Sequence, residues 1–215
     1  MRLHGLRDAI TIWSLPFGRY IESEEGVKVC TSSWRRVDDT AIPPRGKLIG
    51  SYINSALIKS EANLNGFDEA IVLDQSGHVA EGSAENLFIV RDGVLITPPV
   101  QGNVLEGITR RTVLTLAREA LGLQVIEREI DRSELYFADE AFFCGTGVQV
   151  AAIASVDHRP VGAGRMGPLT SQVRDLYFRT VRGDEARYSA WVTPVYTAGA
   201  AGAPAAQPAQ AAARA

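Results

Sequence analysis

Apolar and polar positions alternate in residues 9–13 (Ala-Ile-Thr-Ile-Trp) and 27–31 (Val-Lys-Val-Cys-Thr), which predicts two strands near the start of the chain. Pro16, Gly18 and Gly26 mark turns between them, and Asp38 to Gly46, with Pro43-Pro44, reads as an extended loop. From Ser51 to Leu64 the period becomes helical, with Ile53, Ala56, Leu57 and Leu64 on one face and Gly66 as the stop. Short strands are predicted over 70–73, 79–81, 87–90 and 94–96. Asp92-Gly93 joins the last two as a two-residue hairpin. An amphipathic helix follows over 107–121, with Ile108, Val113, Leu116, Ala117 and Leu121 inward. A strand over 124–129, a short helix over 133–137, strands over 141–144 and 150–156, and a closing helix over 169–180 complete the pattern. Clustered strands with helices packed alongside give an α+β class. Beyond Thr197 only Ala, Gly, Pro and Gln recur, up to Arg214, which predicts a disordered tail over 197–215.

The 215 residues are enough to bury a substantial core. A net charge of −3 offers no electrostatic reason to expect nucleic acid or an anionic membrane as partner. The paired arginines Arg35-Arg36 and Arg110-Arg111 read as solvated surface charge. Cys30 and Cys144 end apolar runs and read as buried free thiols, and the three histidines stand apart, so no metal site is expected. No run reaches the roughly 18 apolar residues of a membrane span, and the start of the chain is a poor signal peptide, which favours a cytoplasmic setting.

Lysine is scarce. Of 22 basic residues only Lys28, Lys47 and Lys59 are lysines. Arginine stays protonated and cannot serve as an amine nucleophile, so a lysine kept in such a background can mark chemistry. Lys28 on a strand and Lys59, about 200° round the helix from Leu57, read as surface charges. Lys47 lies between Gly46 and Leu48-Ile-Gly-Ser-Tyr52, where a glycine-flanked loop enters a helix.

Downstream stands Glu81-Gly-Ser-Ala-Glu-Asn-Leu-Phe88, then Leu95-Ile-Thr97-Pro-Pro and Leu105-Glu-Gly-Ile-Thr-Arg110. This run resembles the signature of the fold-type IV (class IV) pyridoxal-phosphate-dependent aminotransferases over about 30 positions, far more than a short motif. The resemblance implies the large domain of the D-amino acid aminotransferase-like fold. It implies that Lys47 bonds the aldehyde of pyridoxal 5'-phosphate and carries the substrate's α-proton as a buried amine. It gives Glu81 the pyridine nitrogen and Tyr52 the ring hydroxyl. Ile108 and Thr109, at a helix start, and Thr146, in the Gly145-Thr146-Gly147 turn, would receive the phosphate. Gly147 and Val148 would meet the substrate carboxylate, and Tyr20 resembles a pocket aromatic near the family's interdomain segment. Glu85 reads as structural.

Within that fold the segments Thr97-Pro-Pro, Glu134-Leu-Tyr-Phe-Ala-Asp-Glu140 and Tyr188-Ser-Ala-Trp191 most resemble branched-chain amino acid aminotransferases. This implies amino-group transfer from Leu, Ile or Val to 2-oxoglutarate by a homodimer or higher homo-oligomer. D-amino acid aminotransferase, aminodeoxychorismate lyase and a non-catalytic cofactor-binding remnant remain alternatives. Residues 1–32 resemble the end of a small domain and an interdomain segment, with most of that small domain absent, and 33–196 the cofactor-holding domain.

Overall fold

The computed structural model describes residues 4–16 and 25–195, so Tyr20 and the predicted tail over 197–215 lie outside the described residues. The chain divides into two compact units, 1–177 and 178–215. The first carries a mixed sheet of nine strands among the described residues, ordered β3-β2-β1-β8-β7-β4-β5-β6, with β9 beside β8. The strands are β1 (Val27–Arg35), β2 (Glu69–Leu73), β3 (Val79–Gly82), β4 (Asn86–Arg91), β5 (Val94–Thr97), β6 (Val125–Glu127), β7 (Glu140–Gly145), β8 (Gln149–Val156) and β9 (Arg159–Pro160). β1 runs parallel to both β2 and β8, and β5 to β6, while the remaining pairs are antiparallel. The helices are α1 (Tyr52–Leu64), α2 (Ile108–Glu119) and α3 (Pro168–Arg182), joined by short 3-10 turns. In the second unit the rings of Tyr188 and Trp191 lie 4.6 Å apart.

The core lies along β1, β4, β7 and β8, where Val29, Leu87, Ile89 and Phe143 are fully buried. Each such side chain contributes about 1.5–3 kcal/mol on leaving water. Phe88 and Phe142 stack at 5.1 Å, nearly parallel, opposite each other in the β4–β7 register. The Asp92-Gly93 hairpin forms as predicted: both residues have positive φ (51° and 75°), which matches the turn to the strands' twist. Cys30 and Cys144 are both buried and free.

Three expectations fail. Residues 9–13 form no strand, and Ile10, Ile12 and Trp13 are exposed. Alternation makes a strand only where a neighbouring ladder takes up its N–H and C=O groups, and no described segment pairs with this one. On α1 the buried positions are Ser55, Ile58 and Ala62, while Ile53, Leu57 and Leu64 face out. That helix carries apolar residues almost all round, so its period did not define a unique face, and the small residues Ser55 and Ala62 allow the closer approach to β1 and β2. On α2, Val113, Leu116 and Ala117 turn inward as expected, but Ile108 is 73% exposed at the helix start.

Candidate active site

A cavity of about 240 Å³ opens at one end of the sheet. Its wall gathers segments far apart in sequence: Lys47, Tyr52 and Ser55 before and within α1, Glu81 at the end of β3, and Asn86 at the start of β4. The first residues of α2 and Cys144–Thr146 at the end of β7 complete it. Of the positions singled out from sequence, Lys47, Tyr52, Glu81, Ile108, Thr109 and Thr146 all line this one space. Gly147 and Val148 do not: Gly147 is exposed within the turn, and Val148 is turned into the core. Lys47 is exposed and not buried as expected, as is the Leu48–Gly50 stretch beside it. Its Nζ lies 6.0 Å from the centre of the Tyr52 ring.

Glu81 is the electrostatic centre. Its side chain is 5% exposed and accepts from three donors. Arg36 Nε stands 2.8 Å from Oε1, and Oε2 takes Asn86 Nδ2 and the Leu105 N–H at 3.1 Å each. Burial pushes the Glu81 carboxyl up to about 7, against the pull of Arg36, the Leu105 N–H, Arg110 and Lys47. A group poised there is ionised or protonated by small changes in what it faces.

Arg36 was read from sequence as surface charge. It is buried, and it is the principal partner of Glu81. The signal was obscured by the exposed Ser33-Trp34-Arg35 run that precedes it. Arg36 shares its parity with the buried Cys30 and Ser32, whereas the Val27 and Val29 parity leads to the exposed Arg35.

Other residues of the signature hold the frame. Thr97 Oγ1 donates to the Leu87 carbonyl at 2.7 Å, locking β5 to β4. Arg110 is buried and ties α2 to the Pro98 carbonyl (2.8 Å) and to Glu127 (2.9 Å). These ties aim the start of α2 at the cavity. Gly107 precedes α2 and offers the N–H groups of its first turn no side-chain cap. A Cβ on Gly107 would collide with Asn86 Oδ1, so only glycine allows that approach. The Thr109 hydroxyl shares a hydrogen bond with Tyr177, whose phenol is raised by burial.

The residues present suit a pyridoxal-phosphate-like group. An amine and a buried carboxyl line one cavity, and an uncapped helix start with a Gly-Thr turn can receive a phosphate. The profile of the amino-transferase class IV family matches residues 7–156. The chain belongs to the class IV aminotransferase family. It is 50% identical over 187 residues to the probable branched-chain-amino-acid aminotransferase of Aquifex aeolicus, covering 87% of this chain and 60% of that protein. It is 46% identical over 198 residues to the branched-chain-amino-acid aminotransferase of Pseudomonas aeruginosa, covering 91% and 64%. The crystal structure of the branched-chain amino acid aminotransferase from Thermobaculum terrenum in its PLP form superposes with a TM-score of 0.81 at 47% identity, covering 85% of this chain and 59% of that one. The α+β fold of this class IV chain is therefore that of the solved family structures, over about 60% of their length.

Proposed function

We propose that this class IV chain holds pyridoxal 5'-phosphate in the cavity described above. As part of a homodimer or higher homo-oligomer, it would transfer the amino group of L-leucine, L-isoleucine or L-valine to 2-oxoglutarate. The observation that carries this reading is the shared cavity of Lys47 and Glu81. Similarity to branched-chain enzymes at 50% and 46% identity supports the choice of substrates. We also read 1–32 as the end of a smaller domain with its connector and 33–196 as the cofactor-holding domain, a division that limited proteolysis tests.

When bound, the cofactor supplies an aldehyde for an amine and a ring that spreads the electrons left when the substrate's Cα loses its proton. Lys47 Nζ would hold that aldehyde, and its free amine would take the substrate's Cα proton. Glu81 would set its carboxylate against the ring nitrogen, Tyr52 would meet the ring hydroxyl, and Ile108, Thr109 and Thr146 would hold the phosphate. Gly147, Val148 and Tyr20 are assigned to the substrate only through resemblance.

Borohydride treatment of the chain with pyridoxal phosphate, followed by peptide mass mapping, should place a reduced adduct on Lys47. Isoleucine or valine should shift the cofactor's absorbance, and Lys47→Ala should abolish both effects. An adduct on Lys28 or Lys59 instead would overturn the assignment. A response to D-alanine but not to L-isoleucine would move the chain to a D-amino acid activity.

A further inference from the structure

Glu85 has no part in the roles above, yet it is 4% exposed and lines the cavity with Lys47 and Glu81. Its Oε2 accepts the Ala84 N–H at 3.0 Å, and its backbone carbonyl accepts the Gly82 N–H at 2.6 Å. The two bonds clamp the Gly82–Ala84 turn between β3 and β4. The side chain folds back over Gly82 so closely that a Cβ there would stand 2.7 Å from Oε2 and 2.9 Å from Phe143 Cε1. The Glu85 carboxyl thus fills the hollow that the turn leaves, with Ser83 and Ala84 presented to the cavity above it.

Behind the turn is Glu69, fully buried at the start of β2, with Lys59 Nζ of α1 at 2.6 Å from its Oε2. The antiparallel register Ile71↔Gly82 directs Glu69 back toward the turn. The Lys59 ammonium is paired with Glu69, and its charge also acts on Glu85. Glu81, the next acid, has Arg36 as its own cation. A buried carboxyl beyond the number that nearby cations can balance keeps its proton.

We propose that Glu85 is a positioning residue held as a neutral acid, which supports the turn beneath the cavity and leaves Glu81 as the one carboxylate facing the Lys47 amine. The groups around it agree. Burial and then the Glu69 charge push Glu85 up to about 8, Glu81 adds to this, and the Ala84 N–H and Lys59 oppose it. Cys144 faces it from β7, its own thiol raised by burial. A carboxyl raised in the folded state stabilises the fold below the ordinary carboxylate range, and that contribution is lost as pH rises through about 8. The neutral-acid assignment stands on the protein alone; the effect on the cofactor rests on the function proposed above.

Infrared difference spectra of the cofactor-free chain separate the two. Subtracting Glu85→Gln from the unsubstituted protein near neutral pH should reveal a lost carboxylic-acid C=O band. In the unsubstituted protein that band should give way to carboxylate bands at a midpoint near 8. Glu69→Gln removes the competing charge and should move the midpoint down. A difference spectrum showing a lost carboxylate band near neutral pH would overturn the proposal, and so would a midpoint indifferent to Glu69→Gln. For the cofactor, Glu85→Ala should weaken pyridoxal phosphate binding by roughly tenfold, the size of one lost buried hydrogen bond, and Glu85→Gln should restore most of it. Failure of the Gln variant to restore binding would refute the positioning role. Absence of binding in every form, with the acid band intact, would instead overturn the function proposed above.

Discussion

Arg36 Nε and Glu81 Oε1 meet at 2.8 Å in a setting where the two side chains are 7% and 5% exposed. The pair joins the segment just after β1 to the end of β3, and it is the only fixed positive charge within ion-pair distance of that carboxyl among the described residues. Water cannot replace the guanidinium there.

Arg36→Met should therefore destabilise the chain by about 3–5 kcal/mol, the cost of leaving a buried charge without its partner. Urea unfolding measures it. Adding Glu81→Gln to Arg36→Met should recover part of the loss, because the uncompensated carboxyl is then gone. A loss from Arg36→Met within about 0.5 kcal/mol, the range of an ordinary surface change, would contradict the burial.

The pH dependence of Glu81 has a definite sign. Its folded value, about 7, lies above the ordinary carboxylate range, so the folded state binds the proton more tightly than the unfolded chain. The stability this contributes is present at acid pH and lost as pH rises toward and through 7. Thermal melts should show the unsubstituted chain losing stability relative to Glu81→Gln across that window, and parallel curves would exclude the shift.

The exposed and buried faces of α1 can be told apart by a pair of truncations. Ile58→Ala, at a fully buried position, should cost about 2–5 kcal/mol, whereas Leu57→Ala, 41% exposed, should cost well under half as much. Denaturant midpoints compared at equal slope decide it, and the reverse order would restore the face expected from periodicity.

Gly107→Ala should cost about 1–3 kcal/mol by overpacking, because its methyl group meets Asn86 Oδ1. Asn86 donates both to Glu81 and to the Leu105 carbonyl, so the displacement should reach the carboxyl as well. The expected result is weaker pyridoxal phosphate retention in an absorbance titration, together with a lower melting temperature. Unchanged retention would show that Asn86 can move without disturbing the site.

The signature was legible because its residues sit where the backbone has little choice. Asp92-Gly93 supplies two positive φ angles, and Gly107 leaves a helix start open against Asn86. Lys47, Glu81, Thr109 and Thr146 could be picked out because each matches a position of the family signature. Arg36 could not, since the exposed Trp34 interrupts the parity that Cys30 and Ser32 begin. The Lys59–Glu69 pair was equally hidden. Lys59 lies partly in solvent on α1, and only the packing of that helix against β2 brings the buried carboxyl to its amine. Nor could 9–13 be judged from alternation, because a strand exists only by virtue of its neighbour.

The slip of β1 against β2 makes this site sensitive to the spacing of residues that never touch it. Removing one residue from Ser32–Trp34 would leave one of the two extra residues of β1 in place and move Arg36 into the exposed position of Arg35. Lys47, Glu81 and the start of α2 would each keep their own anchorage, yet the acid would lose its guanidinium. The irregular stretch of β1 works as a vernier, and its length sets which arginine the interior receives.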